Sequence, residues 1–320
     1  MTDAPLFHDI AHAPPGGLAF WRVTSDGVRV RLAHWPRADG TKSRGTILLL
    51  PGRTEYIEKY GLNAAELAAR GFDTLTIDWR GQGLADRPDA ERVLGHVGHF
   101  DEYQRDLDAM MAQARDLDLP RPFTMLAHSM GGCIGVRALH NGLDVVGACF
   151  SAPMWGIILS KPLRPMAWGF SWALHWSPWK MTLSPGTARE TYVLAEPFEG
   201  NMLTTDRTMW TMMQQQAKAH PELTLGGPTA GWLFAALTEM HALARLPVPN
   251  VPAVTWLGSN ERIVESVPIH RLMADWPKGR LEVLRDREHE VLMEDPTVRG
   301  QVYASIEELA RGRSKATSAA

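Results

Sequence analysis

FTMLAHSMGG, residues 123–132, decides how this chain is read. An apolar run stops at a lone polar residue, Ser129, hemmed in by Ala127, Gly131 and Gly132. A strand built only for burial has no use for that hydroxyl. A serine that merely caps a helix has no need of small residues on both sides. A tight strand-to-helix turn needs both. It lifts the serine Oγ clear of the sheet's end and brings the residues two before and two after it together, so only very small side chains fit. Ala127-His128-Ser129-Met130-Gly131 meets that demand, with alanine at the first small position. The Met130 N–H then opens a helix and points at the reacting centre, where the helix dipole favours a developing oxyanion. Alone, the pentapeptide is weak evidence, since composition produces one about once in four chains of this length. Its setting carries the weight: an apolar strand precedes it and a helix-forming stretch, CIGVRALH at 133–140, follows.

Outward from the turn, short apolar runs alternate with helical patterns. LAFWRVTSDGVRVRLAHW, 18–35, reads as a hairpin through Asp26-Gly27. GTILLLPG, 45–52, is a continuous apolar run, as expected of a strand buried on both faces. NAAELAARG, 63–71, is helical and stops at Gly71. FDTLTIDWRGQG, 72–83, is a strand ending in a glycine-rich loop, and DEYQRDLDAMMAQARDL, 101–117, an amphipathic helix. VVGACFSAP, 145–153, and then VPAVTWLGSN, 251–260, and GRLEVLRDREHE, 279–290, continue the strands, and 297–312 forms a last helix. The alternation implies an α/β fold: a mostly parallel sheet with helices on both faces.

The rhythm breaks between. Trp155, Trp168, Trp172, Trp176, Trp179, Trp210 and Trp232, with eight methionines from Met154 to Met240, crowd a segment of helices and loops. The expected organisation is a core at 1–154, an inserted helical cap at 155–246 and a second core part at 247–320. So thin a layer, so rich in large apolar groups, is expected to turn some of them toward the cleft as an adaptable wall for an acyl chain. His128, Met154, Trp155 and Trp210 are the candidate substrate-binding residues. The mixed basic and aromatic stretch LSKPLRPMAWGFSWALHWSPWK, 159–180, leaves peripheral membrane contact through the cap open.

With 320 residues, 45% hydrophobic and 22% charged, the chain can bury a large core. A net charge of −3 offers no case for a nucleic-acid partner. The N-terminus lacks the basic and apolar blocks of a signal peptide, and no apolar run is long enough to span a membrane, so a cytoplasmic location is expected. The two cysteines, Cys133 and Cys149, sit in apolar surroundings and read as buried free thiols. The polar tail RGRSKATSAA, 311–320, is expected to fray. His96 and His99 lack further ligands at metal spacing, so neither a metal nor any cofactor is expected. Nothing in the sequence sets the oligomeric state.

A nucleophilic serine needs a base, an acid and a second oxyanion donor. His289 follows the last expected strand, and Glu261 follows the strand before it. The chain order Ser129, Glu261, His289 is the one a doubly wound hydrolytic sheet requires. Glu282, Asp286 and Glu288 are alternatives that follow the wrong strand. The Pro51-Gly52 turn offers the Arg53 backbone N–H as second donor. Asp78 is expected to anchor its loop through Arg80, and Arg53 and Arg80 are candidates to meet a phosphate head group.

LLLPGRTEYIEKY (48–60), GFDTLTIDWRGQG (71–83), LAHSMGG (126–132), LGSNERIV (257–264) and REHEVLME (287–294) together resemble the lysophospholipase L2 and monoacylglycerol lipase group of α/β-hydrolases, also described as serine aminopeptidase-like. The likeness spans about residues 20–310. It implies the α/β-hydrolase fold, with Ser129 as nucleophile, His289 as base, Glu261 as acid, and the Arg53 and Met130 amides as oxyanion donors. The PGR-E form of the first loop and the glutamate of NERIV lie nearer lysophospholipase L2, since the lipases usually carry His-Gly and Asp there. The implied activity is hydrolysis of lipid-like carboxylic esters. A serine aminopeptidase or amidase with the same triad, its acidic subsite drawn from Glu190, Glu196, Glu199 or Asp206, and a non-catalytic binding protein are the alternatives.

Overall fold

The computed structural model describes residues 2–87, 91–158 and 164–312, with the side chains of 164–168 left aside. The basic start of the 159–180 stretch, at 159–163, and most of the C-terminal tail, at 313–320, lie outside the described residues.

Nine strands form one sheet among the described residues, in the order β1-β2-β3-β5-β4-β6-β7-β8-β9. β1 (Thr2–Asp3), β2 (Leu18–Val23) and β3 (Arg29–Trp35) form an antiparallel edge, and β3 is antiparallel to β5 (Asp73–Asp78). From β5 onward, β4 (Thr46–Leu50), β6 (Phe123–His128), β7 (Gly147–Ser151), β8 (Ala253–Gly258) and β9 (Gly279–Leu284) run parallel. The Asp26-Gly27 turn closes the β2–β3 hairpin, with Gly27 at φ +85°.

The continuous apolar strands are buried on both faces. On β4, Leu48 and Leu50 point into one hydrophobic cluster while Ile47 and Leu49 point into the other. That period of two is the pleat's own. The first cluster is covered by α3 (Asp101–Asp116), α4 (Met130–His140) and α9 (Ser266–Asp275). The second is covered by α2 (Gly61–Ala68) and α10 (Pro296–Arg311). α1 (His8–Ala11) packs near the 3₁₀ turn Ile57–Tyr60.

Among the described residues four α-helices separate β7 from β8: α5 (Arg164–His175), α6 (Tyr192–Ala195), α7 (Arg207–Ala219) and α8 (Ala230–Leu243). They do not form a detached layer. Trp232, Ala236 and Met240 of α8 belong to the first hydrophobic cluster, and Met209, Trp210, Met212 and Met213 of α7 to the second. α5 differs: Phe170 and Trp172 are exposed, as are Trp176 and Trp179 just beyond it.

Candidate active site

Every loop with a candidate catalytic residue leaves the carboxyl end of a parallel strand. Arg53 follows β4, Ser129 follows β6, Glu261 follows β8 and His289 follows β9. In open α/β sheets ligands bind in the crevice outside those ends.

Ser129 sits between β6 and α4 at φ +48° and ψ −115°. A non-glycine residue in that region carries about 1–3 kcal/mol of strain. The surroundings hold it there. The Ser129 amide donates to Ser151 O at 3.0 Å, and the Met154 and Gly132 amides donate to Ser129 O at 2.8 and 2.9 Å. The small-residue requirement is visible at Gly131, where a Cβ would lie 2.1 Å from Leu50 O.

His289 Nε2 lies 3.0 Å from Ser129 Oγ, and His289 Nδ1 lies 2.7 Å from Glu261 Oε2. With an ionised carboxylate at Nδ1, that nitrogen carries the proton and Nε2 is free to accept one. The other Glu261 oxygen accepts the Ile263 and Val264 amides at 2.7 and 3.0 Å. Burial works against the Glu261 charge, but His289 and these two amides outweigh it and hold the carboxyl below its ordinary pKa. The imidazole loop is clamped by the inserted segment: the His289 and Glu290 amides donate to Met202 O and Leu203 O at 3.3 and 2.7 Å.

Among the described residues, neither the Arg53 nor the Met130 amide donates to a protein acceptor. Their loops are nonetheless fixed. Gly52 N donates to the Glu55 carboxylate, Gln82 Nε2 donates to Gly52 O at 3.0 Å, and the Thr54 amide donates to Gln82 Oε1 at 3.1 Å.

Behind the triad lies a buried polar cluster that the residue patterns did not single out. Lys59 Nζ donates to Glu290 Oε1 at 2.6 Å and to Glu55, which also accepts Tyr60 OH at 2.6 Å. His128 Nε2 lies 3.3 Å from Glu290 Oε2, and its Nδ1 faces Ser151 O and Oγ, both at 3.1 Å. Burial disfavours a charge on His128, yet Glu290 and Glu55 overcome it and raise its pKa. Burial likewise opposes the Glu290 charge, and Lys59 and His128 hold its carboxyl well below the ordinary value. Two carboxylates thus face one ammonium and one imidazole whose protonation they favour. Glu55, His128 and Glu290 come close enough together to suggest a metal, but Lys59 already supplies the positive charge between the two carboxylates. The signal available in the sequence was the polar triplet Glu55, Lys59 and Tyr60 shortly after a buried strand.

The four candidate substrate residues are all buried in the fold. His128 is 2% exposed and belongs to this cluster. Its ring packs against that of His289, with centroids 4.9 Å apart. Met154 is buried and ties its amide to the serine turn. Trp155 packs against Phe150 and Trp276 and donates Nε1 to Gly132 O at 3.3 Å. Trp210 is 2% exposed in the second hydrophobic cluster, edge-on to Tyr192 and Phe198.

Asp78 also departs from expectation. It anchors its surroundings through Arg31 Nε at 2.7 Å and the Ile57 and Leu84 amides, not through Arg80. Arg80 is taken up by Asp26, Glu102 and Asp106. Of the alternative acids, Glu282 pairs with Arg280 and Glu288 with Arg262. His96 lies 2.9 Å from Thr229 Oγ1, and His99 packs edge-on to His175. Cys133 and Cys149 are free and buried.

A parallel sheet with a strained serine between strand and helix, and a histidine and a carboxylate from later strand ends, defines a serine hydrolase of the α/β-hydrolase fold. The chain belongs to the family described as Serine aminopeptidase, S33, which it matches over residues 41–296. It is 32% identical over 289 residues to Lysophospholipase L2 of Escherichia coli strain K12, covering 87% of this chain and 82% of that protein. It is 28% identical to the Probable lysophospholipase L2 of Haemophilus influenzae, covering 82% of each. Among solved structures, a soluble variant of monoglyceride lipase from Saccharomyces cerevisiae shares the fold with a TM-score of 0.69 at 18% identity, covering 91% of this chain and 94% of that one.

Proposed function

We propose that the protein hydrolyses carboxylic esters of single-chain lipids, in the manner of a lysophospholipase, through a Ser129–His289–Glu261 triad. The observation that carries this reading is the unbroken relay of 3.0 and 2.7 Å from Oγ through the imidazole to the carboxylate. His289 Nε2 takes the Ser129 proton as Oγ attacks the acyl carbon. The carbonyl oxygen, now negative, accepts the Arg53 and Met130 amides, which have no other acceptor among the described residues. Glu261 stabilises the imidazolium and keeps its tautomer. The C–O bond breaks, and the leaving alkoxide takes the proton from Nε2. Water then attacks the acyl-enzyme, gives a proton to Nε2 and releases the fatty acid, and Ser129 recovers its proton.

The ester reading is favoured by the similarity to the two lysophospholipase L2 proteins. An aminopeptidase would need a carboxylate waiting for the substrate amine. Glu199 is exposed and pairs with Arg207, Asp206 caps α7, and Glu190 and Glu196 are exposed. The carboxylate at the oxyanion loop, Glu55, is taken up by the Gly52 amide, Lys59 and Tyr60. A non-catalytic role would leave the strain at Ser129 without a use.

Two further parts belong to the same proposal: a helical cap at 155–246 that shelters an apolar acyl site, and the exposed aromatic face of α5 resting on a lipid surface. Among the described residues no helix is long and apolar enough to cross a membrane. The deciding experiment profiles turnover across lysophospholipids, monoacylglycerols, p-nitrophenyl butyrate and decanoate, and aminoacyl-nitroanilides, beside fluorophosphonate labelling. Labelling at Ser129 with turnover of the lipid esters and preference for decanoate is expected. Turnover confined to the nitroanilides, or no labelling at Ser129, overturns the reading.

A further inference from the structure

The two arginines that follow β4 and β5 have opposite surroundings. Arg80 is surrounded by three carboxylates, and its charge is spent inside the protein. Arg53 has no carboxylate partner among the described residues. Its Nη2 donates to Gly226 O at 3.0 Å, and its guanidinium carbon lies 5.1 Å from the centre of the Trp232 ring. Its Nε is sealed from solvent with no acceptor among the described residues. Tyr103 accepts from Trp232 Nε1 at 3.1 Å beside it and brings no negative charge. Burial pushes the Arg53 pKa down to about 10, which still leaves it cationic at neutral pH.

A cation withdrawn from water without a counter-charge costs several kcal/mol, and it is retained where something else supplies the anion. Arg53 as a residue is partly exposed, while its guanidinium is enclosed between Gly226 and Trp232. Its place in the chain matters as much. The amide of Arg53 is one of the two donors left free for the reacting carbonyl oxygen, and its side chain leaves that point toward Gly226 and Trp232 of the inserted segment. An ester seated on that amide therefore holds the rest of its alcohol within one arginine's length of a planar fork of N–H donors. That fork matches phosphate oxygens two at a time.

We propose that the Arg53 guanidinium is an anion subsite that receives the phosphodiester of a lysophospholipid, at the far end of the same glycerol whose acyl ester faces Ser129. This rests on the ester-hydrolase reading. It makes Arg53 the residue that separates a phosphate-bearing lysolipid from a neutral monoacylglycerol, with Trp232 holding the fork in place.

The test compares kcat/KM for lysophosphatidylcholine and for a monoacylglycerol of the same acyl chain, in the full chain and in its Arg53→Gln and Arg53→Lys variants. The choline head group is zwitterionic, so the protein's overall charge does not bias the comparison. Loss of a charge-assisted hydrogen bond predicts that the ratio of the two values falls about ten- to hundredfold in Arg53→Gln, chiefly through KM, and is partly restored in Arg53→Lys. If both substrates fall together and the ratio holds, the subsite assignment is overturned. A second measurement needs no variant. Glycerophosphocholine should compete with monoacylglycerol hydrolysis by the unaltered protein, while glycerol at the same concentration should not. Competition by inorganic phosphate alone, with none by glycerophosphocholine, assigns Arg53 to a free anion and overturns the head-group proposal. A protein that labels at Ser129 yet hydrolyses neither lipid fails at the earlier step and takes this proposal down with it.

Discussion

At Ser129 the backbone stands at φ +48°, and the hydrogen bonds from Met154 and Gly132 keep it there. The arrangement of the proposed triad was legible in the sequence because each member answers a local demand. Ser129 has its small flanking residues, and His289 and Glu261 occupy the loops after the last two strands. Glu261→Gln leaves a carboxamide that can turn its N–H toward Nδ1 and favour the wrong tautomer. It should lower kcat by about 10⁴-fold while Ser129→Ala lowers it by about 10⁶-fold, as read from steady-state hydrolysis of a p-nitrophenyl ester. The place of His128 was not legible, because nearness in sequence to Ser129 says nothing of which face a side chain takes. His128 turned inward, where its raised pKa has a consequence for stability. A raised imidazole stabilises the fold fully below its unfolded pKa, about 6.5, and loses that contribution as pH rises through the folded value. Glu290, held low, does the reverse: its contribution is present above the ordinary glutamate pKa and lost as pH falls through its depressed one. Glu290→Gln removes a buried partner of Lys59 and His128 and should cost about 3–5 kcal/mol at neutral pH. Thermal melts across pH should also show His128's alkaline decline weakened in that variant. An unchanged pH profile would mean that His128 is neutral in the folded protein.

The serine turn works as an element only because β4 and α4 approach to van der Waals contact. Adding one methyl group tests that directly. In Gly131→Ala the new Cβ would meet Leu50 O at 2.1 Å and Pro51 O at 2.6 Å, both main-chain atoms at the start of the oxyanion loop. The loop must give way, so the Arg53 amide moves with it. The expected result is a loss of about 1–3 kcal/mol in stability together with a fall in kcat larger than the fall in folded fraction. Gly142→Ala is a contrast: the turn after α4 has open space, though φ +89° makes it strained, so stability should drop without a matching drop in turnover of the folded protein. Most elements were legible from period and punctuation. β1, two residues long, and α1, four residues long, carry too few positions for a period. α9 hides behind Pro268, which reads as a breaker but is tolerated in a helix's first turn, where the missing N–H has no partner to lose.

Across the molecule, the tryptophan and methionine excess between β7 and β8 divides into two uses that composition could not separate. Most of it extends the two hydrophobic clusters of the sheet, as Trp210 and Trp232 do at 2% and 3% exposure. The remainder gathers at α5 and its C-terminal turn, where Trp172, Trp176 and Trp179 stand 57%, 71% and 66% exposed, with Phe170 on the same helix and Lys180 exposed beside them. Indole rings with a polar edge and an apolar body favour the head-group layer of a lipid surface, and a flanking lysine favours anionic lipid. Full burial of a large apolar side chain is worth about 1.5–3 kcal/mol, so three partly inserted rings dominate any such docking. None of these residues touches the triad. Replacing Trp172, Trp176 and Trp179 together by serine should therefore weaken binding to vesicles containing phosphatidylglycerol by more than about tenfold. Hydrolysis of lysophospholipid held in those vesicles should slow in step, while turnover of soluble p-nitrophenyl butyrate stays as it was. Sedimentation with vesicles reads the first quantity and fatty-acid release the second. Equal vesicle binding by the two proteins would return these rings to the role of packing against another copy of the chain, which light scattering as a function of protein concentration would then detect.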